Sequence, residues 1–309
     1  AAHREMPEGV MGEGASALAP PLPPYEPDPH VPLTMAQLAQ FLCNPAQVFF
    51  RQRLNVVFQD MDTEPEDEES FGLNALEEHQ TVDTLTDEVL ADLDAWLATH
   101  EGQAAGSEAR SAALREQVRA RLGRLRRSGR LPMGALGVWT QQSLERTLLP
   151  MLIAWQQEVA RAPHLAARRA VRIEQDGVVL QDWLDHLRVS DEADALPTWL
   201  DLAPGKLAKS KPTKKEPAKP RLDKLRLAWV RSVVAACEGV LLQGVVVGSD
   251  ATVCCSPMDP LAAQDDMRSL LRVWRAGLDA PLPLPMRTAL AKVAEEEPES
   301  VYEGGFMRD

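Results

Sequence analysis

Cysteine is scarce in this sequence: four residues, Cys43, Cys237, Cys254 and Cys255, among 309. None form a C-x-x-C pair. The neighbours Cys254 and Cys255 would point to opposite faces of a strand, which makes a poor metal site. Buried, reduced thiols in a cytoplasmic protein are expected. Long apolar runs are missing too. The longest, residues 239–248, is far too short to span a bilayer, so no membrane contact is expected. Positive charge is in deficit, with 33 Lys and Arg against 46 Asp and Glu and a net charge of -13. That balance argues against a generic cationic nucleic-acid binder, though the charge is unevenly spread. No G-x-x-x-x-G-K-[ST] is present, which excludes ATP hydrolysis by a P-loop, and no G-x-S-x-G appears. The six histidines do not cluster at ligand spacing. The first residues have no initiator Met and no signal-peptide h-region, and "VYEGGFMRD" closes the chain without a cap, so a piece of a longer protein, truncated at its C-terminus, is expected.

What is present suffices for a proper core, with 45% apolar and 26% charged residues. Residues 1–32 are rich in Pro and Gly and read as a linker. Thr34 is placed to N-cap a helix, with Gln37 completing a capping box, and Leu38, Phe41 and Leu42 share one face of it. Asn44 then caps a second helix that starts on Pro45 and carries Val48, Phe49, Arg51, Gln52 and Leu54. Residues 59–70, "QDMDTEPEDEES", hold seven carboxylates and read as a solvated loop. A helix over 71–100 offers Leu73, Leu76, Leu85, Val89, Leu90, Leu93, Trp96 and Leu97 to a core. Residues 108–130 form a basic helix, with Arg115, Arg119, Arg121, Arg124, Arg126, Arg127 and Arg130. These forks suit phosphate. They would equally suit an acidic neighbour. A further helix covers 138–160 and carries Trp139, Leu144, Leu148, Leu149, Leu152 and Trp155.

After residue 168 the pattern alternates, and Asp176-Gly177 marks a hairpin. "ALPTWLDLA" reads as a strand. Residues 204–221 form a basic, Pro-rich flexible loop. A helix over 222–237, strands at 239–248 and 250–255, and helices near 259–277 and 284–295 follow. The order implies an α/β (α+β) fold: a helical N-terminal part, about 33–165, then a small mixed sheet flanked by helices, 166–309. One chemical arrangement stands out. Asp185 at the end of the hairpin and Asp201 on the next strand place two carboxylates on a small sheet, where such pairs hold Mg²⁺ for phosphodiester hydrolysis. A lysine two residues after the second carboxylate would complete the chemistry, but Ala203 stands there. Lys206 follows only after Pro204 and Gly205. Solvent-facing aspartates are the plain alternative.

Several stretches together resemble one family. "PLTMAQLAQFLCNPAQVFFRQRLNVVF", "FGLNALEEHQ", "SGRLPMGALGVWTQQSL", "WRAGLDAPLPLP" and "YEGG", in this order, resemble the C-terminal region of RecC chains. These are the gamma subunits of exodeoxyribonuclease V, the RecBCD helicase-nuclease. The resemblance implies a degenerate PD-(D/E)XK fold of the RecB nuclease type. Where active relatives have G-x-x-D and D-Y-K, this chain has Asp182-Trp183-Leu184-Asp185 and Asp201-Leu202-Ala203. The family's Q-x-x-x-Y helix signature is replaced by "KLRLAWVRS". No catalytic residue is then expected, and Asp185, Asp201 and Ala203 mark the degenerate positions. Cys43 lies near the place of a cluster cysteine in some relatives, but the other cysteines do not complete that pattern, so no iron–sulfur centre is expected. The resemblance also implies partners, the RecB and RecD subunits and forked or double-stranded DNA ends. It implies no cofactor in this chain, with ATP and Mg²⁺ used by the partner subunits, and a bacterial cytoplasmic setting. Phe49 or Phe50 is expected to anchor the helix joint in the core. Arg51 and Arg53 are expected to face DNA or a subunit. Arg119, Arg124, Arg126, Arg127 and Arg130 are the candidate DNA contacts. The competing readings are an active Mg²⁺ nuclease using Asp185 and Asp201, and a pure protein-interaction module.

Overall fold

A computed structural model describes residues 22–57, 75–97, 99, 106–209, 218–283 and 285–294. The acidic stretch 59–70 and the "YEGG" element lie outside the described residues. The helices α1 (Met35–Cys43) and α2 (Pro45–Arg53) meet at the Asn44-Pro45 joint. Thr34 and Gln37 form the capping box of α1, and the Asn44 side chain accepts from the Gln47 N–H to cap α2. Phe49 is the buried anchor, and Phe50 meets it edge-on with centroids 5.6 Å apart. Arg51 is exposed, whereas Arg53 turns back on its own chain: it donates to the Pro23 carbonyl and lies 5.6 Å over the Tyr25 ring. Tyr25 in turn packs edge-on against Trp274. The described end of the Pro-rich stretch therefore lies on the domain, because one aromatic ring finds a partner there.

Three long helices follow, α3 (Ala75–Leu97), α4 (Ser107–Arg127) and α5 (Gly134–Arg161). Leu114, Val118 and Leu122 recur every four residues on α4 and are fully buried. The C-terminus of α4 closes as a complete Schellman motif. Gly129, at φ +74°, donates to the Arg126 carbonyl, and Arg130 donates to that of Leu125.

Seven strands are described: β1 (His164–Leu165), β2 (Arg169–Gln175), β3 (Val178–Leu184), β4 (Leu187–Val189), β5 (Thr198–Ala203), β6 (Gln243–Gly248) and β7 (Thr252–Cys255). Between β5 and β6 runs α6 (Arg226–Cys237), and α7 (Pro260–Asp279) and α8 (Met286–Val293) close the described chain. The hairpin β2–β3 turns at Asp176 and Gly177, both at positive φ, and forms a sheet of its own. The main sheet has the order β1-β4-β5-β6-β7. It is antiparallel except for β5–β6, which are parallel and joined by the α6 crossover.

The sheet separates two cores. Trp199 and Val246 point to one, shared with α1, the hairpin, α6 and α7. Leu200, Val245 and Val247 point to the other, shared with α3, α4 and α5. This period-2 division explains why β5 and β6 read as continuous apolar runs. Among the described residues no helix is long and apolar enough to cross a membrane.

Candidate functional site

Of the two aspartates picked from the sequence, Asp185 lies at a break in the backbone and Asp201 within β5. The expectation of carboxylates on neighbouring strands of one sheet is corrected, because β3 belongs to the hairpin and ends at Leu184. Asp185 and His186 interrupt the chain between β3 and β4, and His186 adopts φ +55°. At this bend the strand leaves the hairpin and joins the main sheet. β4 pairs with β5 through Leu187↔Trp199 and Arg188↔Thr198, and the Leu200 N–H donates to the His186 carbonyl. Strand alternation puts Asp201 on the same face as Trp199 and Ala203.

Asp185 is served by a cation the chain supplies itself. Arg231, on α6, pairs with Asp185 at 3.1 Å and lies 4.5 Å over the Trp199 ring. Its side chain is only 14% exposed. Its Nε and Nη1 atoms, and the indole Nε1 of Trp199, are buried without a hydrogen-bond partner among the described residues. A guanidinium cannot lose its charge in a protein. It therefore places a fixed positive charge beside Asp185, which a divalent cation brought to the same carboxylate would meet. A Mg²⁺ site of this type takes two carboxylates and completes its shell with water and phosphate oxygens, and Arg231 competes for one of the two. Two aspartates remain, one of them paired, and among the described residues no three His, Cys, Asp or Glu side chains converge at a metal. Ala203 offers no proton relay. Lys206 lies beyond β5 and lines a different cavity. Asp182, where the related pattern has glycine, is also engaged: its Oδ2 accepts from the Met35 N–H at 2.9 Å and ties the start of α1 to the hairpin.

Sequence reasoning missed Arg231. The signal was present, since it is the only charged residue of α6 after Arg226. Its meaning depended on α6 crossing over Trp199, which no local pattern shows.

The candidate basic helix is α4, and its arginines divide into two groups. Arg121 is anchored internally by Asp92 and Glu88, at 2.7 and 2.6 Å, and the Asp92 hydrogen bonds push its pKa further up. Arg119 pairs with Glu145 of α5 at 2.8 Å while remaining largely exposed. Arg124, Arg126 and Arg127 are exposed in the last turn, where the helix C-terminus favours cations. Arg130 lines a cleft of about 320 Å³ together with Glu77 and Glu88. Beside this end of α4, Met133 is exposed in the loop and Trp139 is 59% exposed on α5. Trp139 thus belongs to the surface, although the pattern groups it with the apolar residues.

None of the cysteines is fully buried, contrary to expectation. Cys254 and Cys255 alternate between exposed and half-buried sides of β7. Burial, with Glu238 and Asp266 nearby, pushes the Cys237 thiol up to about 11.

The family model for the RecC C-terminal domain matches residues 31–297. No curated protein matches the chain.

Proposed function

The chain belongs to the RecC C-terminal domain family, and on that premise we propose that it is a non-catalytic part of the RecBCD helicase-nuclease, a scaffold that handles DNA ends and helps separate their strands during double-strand-break repair. Its sheet and crossover helix are a PD-(D/E)XK nuclease fold whose site has been converted from chemistry to structure. The observation that carries this reading is Arg231, held between Asp185 and Trp199. Catalysis at such a site needs two carboxylates free for a cation and a lysine close to the attacked phosphate. Here one carboxylate is engaged by the chain's own guanidinium, and Ala203 stands where the lysine would be. Exodeoxyribonuclease activity, ATP hydrolysis and Mg²⁺ use then belong to the partner subunits RecB and RecD.

DNA contact is assigned to the exposed end of α4. Arg124, Arg126 and Arg127 lack an internal acidic partner among the described residues and carry a local charge opposite to that of the chain. Forks of this kind position a duplex through its phosphates without reading sequence. The test is titration of a labelled forked duplex with the protein over a range of salt. Charge reversal at these three arginines is expected to weaken binding at least about tenfold and to flatten its salt dependence. Binding of forked DNA unchanged by the reversal would remove α4 from the interface. Capture of RecB and RecD without any salt-sensitive DNA binding would favour a pure interaction module.

A further inference from the structure

The β2–β3 hairpin carries an open sheet edge. Its seven-residue strands keep one unbroken register, from Arg169↔Leu184 to Gln175↔Val178. The two edges of this small sheet differ. Along β3 the chain before α1 adds itself as a partner: the Leu33 N–H donates to the Val179 carbonyl at 2.7 Å, and the Gln181 N–H to the Leu33 carbonyl at 2.9 Å. Val179 and Gln181 thus turn their backbone groups away from β2. In an antiparallel ladder the residues opposite them turn outward as well. Those residues are Glu174 and Arg172, and Ala170, opposite Trp183, follows in the alternation. The N–H and C=O groups of all three point out along β2, and among the described residues no strand or side chain pairs with them.

The edge strands of the main sheet, β1 and β7, are two and four residues long and offer little to a neighbour. β2 is longer, and neither lysine, proline nor bulge blunts it. Ala170, Arg172 and Glu174 are all exposed. The strand and its approach are also basic, with Arg168, Arg169 and Arg172 against Glu174 alone. Arg172 reaches Glu174 at 3.6 Å and Gln181 at 2.8 Å. Arg168 lies 4.3 Å over the Trp183 ring, and Arg169 has no acidic partner among the described residues. Across from the small Ala170, Trp183 is 44% exposed, which leaves an apolar surface near the edge.

We propose that β2 receives an extended acidic segment of a partner subunit, which adds a strand to the hairpin. A row of outward donors and acceptors calls for another backbone. A phosphate chain accepts hydrogen bonds but cannot donate to the carbonyls, and a helix has its own backbone groups engaged along its length. An extended peptide offers both at the strand repeat. The arginines select carboxylates among its side chains. A second copy of this chain would bring the same arginines and the same net charge of -13 to the contact. The inference rests on the reading that this chain is a scaffold for partner subunits, and it locates one of their contacts.

The test is hydrogen exchange, read residue by residue by mass spectrometry, on the full chain alone and in complex with RecB and RecD. The amides of Ala170, Arg172 and Glu174 should exchange at least about tenfold more slowly in the complex. Those of Val171 and Ile173, already bonded to β3, should change less. Arg172→Pro removes one outward N–H and no bond to β3. It should leave the melting temperature in place and abolish the protection at Ala170 and Glu174. Arg169→Glu/Arg172→Glu spares every backbone group, and it should lose most of the protection through charge alone. A complex that forms without slowing exchange at these amides overturns the edge assignment and leaves the scaffold reading standing. Equal protection in the wild type and both variants overturns it too, because the covering surface would not be an acidic strand. Protection that appears in the chain alone as its concentration rises would assign the edge to a second copy, against the proposal. If no complex forms with either subunit, the scaffold reading falls with it.

Discussion

Arg231 ties three elements together, and its removal should be felt as structure before it is felt as function. Its guanidinium covers Trp199, a side chain only 1% exposed, and holds Asp185 at the bend between β3 and β4. Arg231→Ala is expected to cost about 1–2 kcal/mol in urea unfolding, from the lost cation–π contact and the lost packing of its stem. Asp185 is too exposed for its ion pair to add much. Arg231→Lys should recover little, because an ammonium lacks the planar face that lies on the indole. A wild-type unfolding midpoint for Arg231→Ala would contradict this role. The thiols give a second test at this scale. Cys237 has its pKa raised to about 11, mainly by burial, so its thiolate is scarce at pH 8 and becomes abundant only as pH climbs through that value. Cys254 is exposed. Iodoacetamide followed by mass spectrometry should therefore mark Cys254 early and Cys237 last.

The elements whose ends are written in local chemistry were legible in the sequence. Thr34, Asn44 and Pro45 announce the α1–α2 joint, and Asn44→Ala should destabilise the domain by about 1 kcal/mol in thermal or urea unfolding, since Asn44 caps α2 through the Gln47 N–H. Asp176-Gly177 likewise announces the β2–β3 turn. Less legible were elements defined by distant partners. β1 and β4 are two and three residues long and exist because each pairs along a longer chain, β4 and β5 respectively. The break at His186 carries no turn signature, yet it moves one strand from the hairpin to the main sheet. Arg53 looks like a surface cation until Tyr25 docks beneath it. Close helix contacts were equally hidden. A Cβ at Gly277 of α7 would come within 2.5 Å of the Phe41 ring of α1. Both residues are buried, so Gly277→Ala is expected to destabilise by about 1–3 kcal/mol through overpacking. An unchanged unfolding midpoint would mean that the helices separate at little cost.

At the scale of the molecule, one thin sheet joins two cores, and its chemistry-bearing residues lie where the hairpin, β5 and α6 converge. The pair Asp185 and Asp201 was legible because carboxylates in strand context are conspicuous. The engagement of Asp185 by Arg231 was not, since it depends on a helix that crosses over the sheet in three dimensions. The contact surfaces show the same division. The arginines of α4 are contiguous in sequence, whereas the free edge of β2 emerges only from the pairing of the sheets. The central claim is that this nuclease-like site is inert and retained as scaffold. Its most direct test is incubation of an end-labelled forked DNA with the purified protein in Mg²⁺ and then Mn²⁺, beside Asp201→Ala. No product above that control is the expected result; cleavage that Asp201→Ala abolishes would mean that a working site survives beneath Arg231, and would contradict the claim.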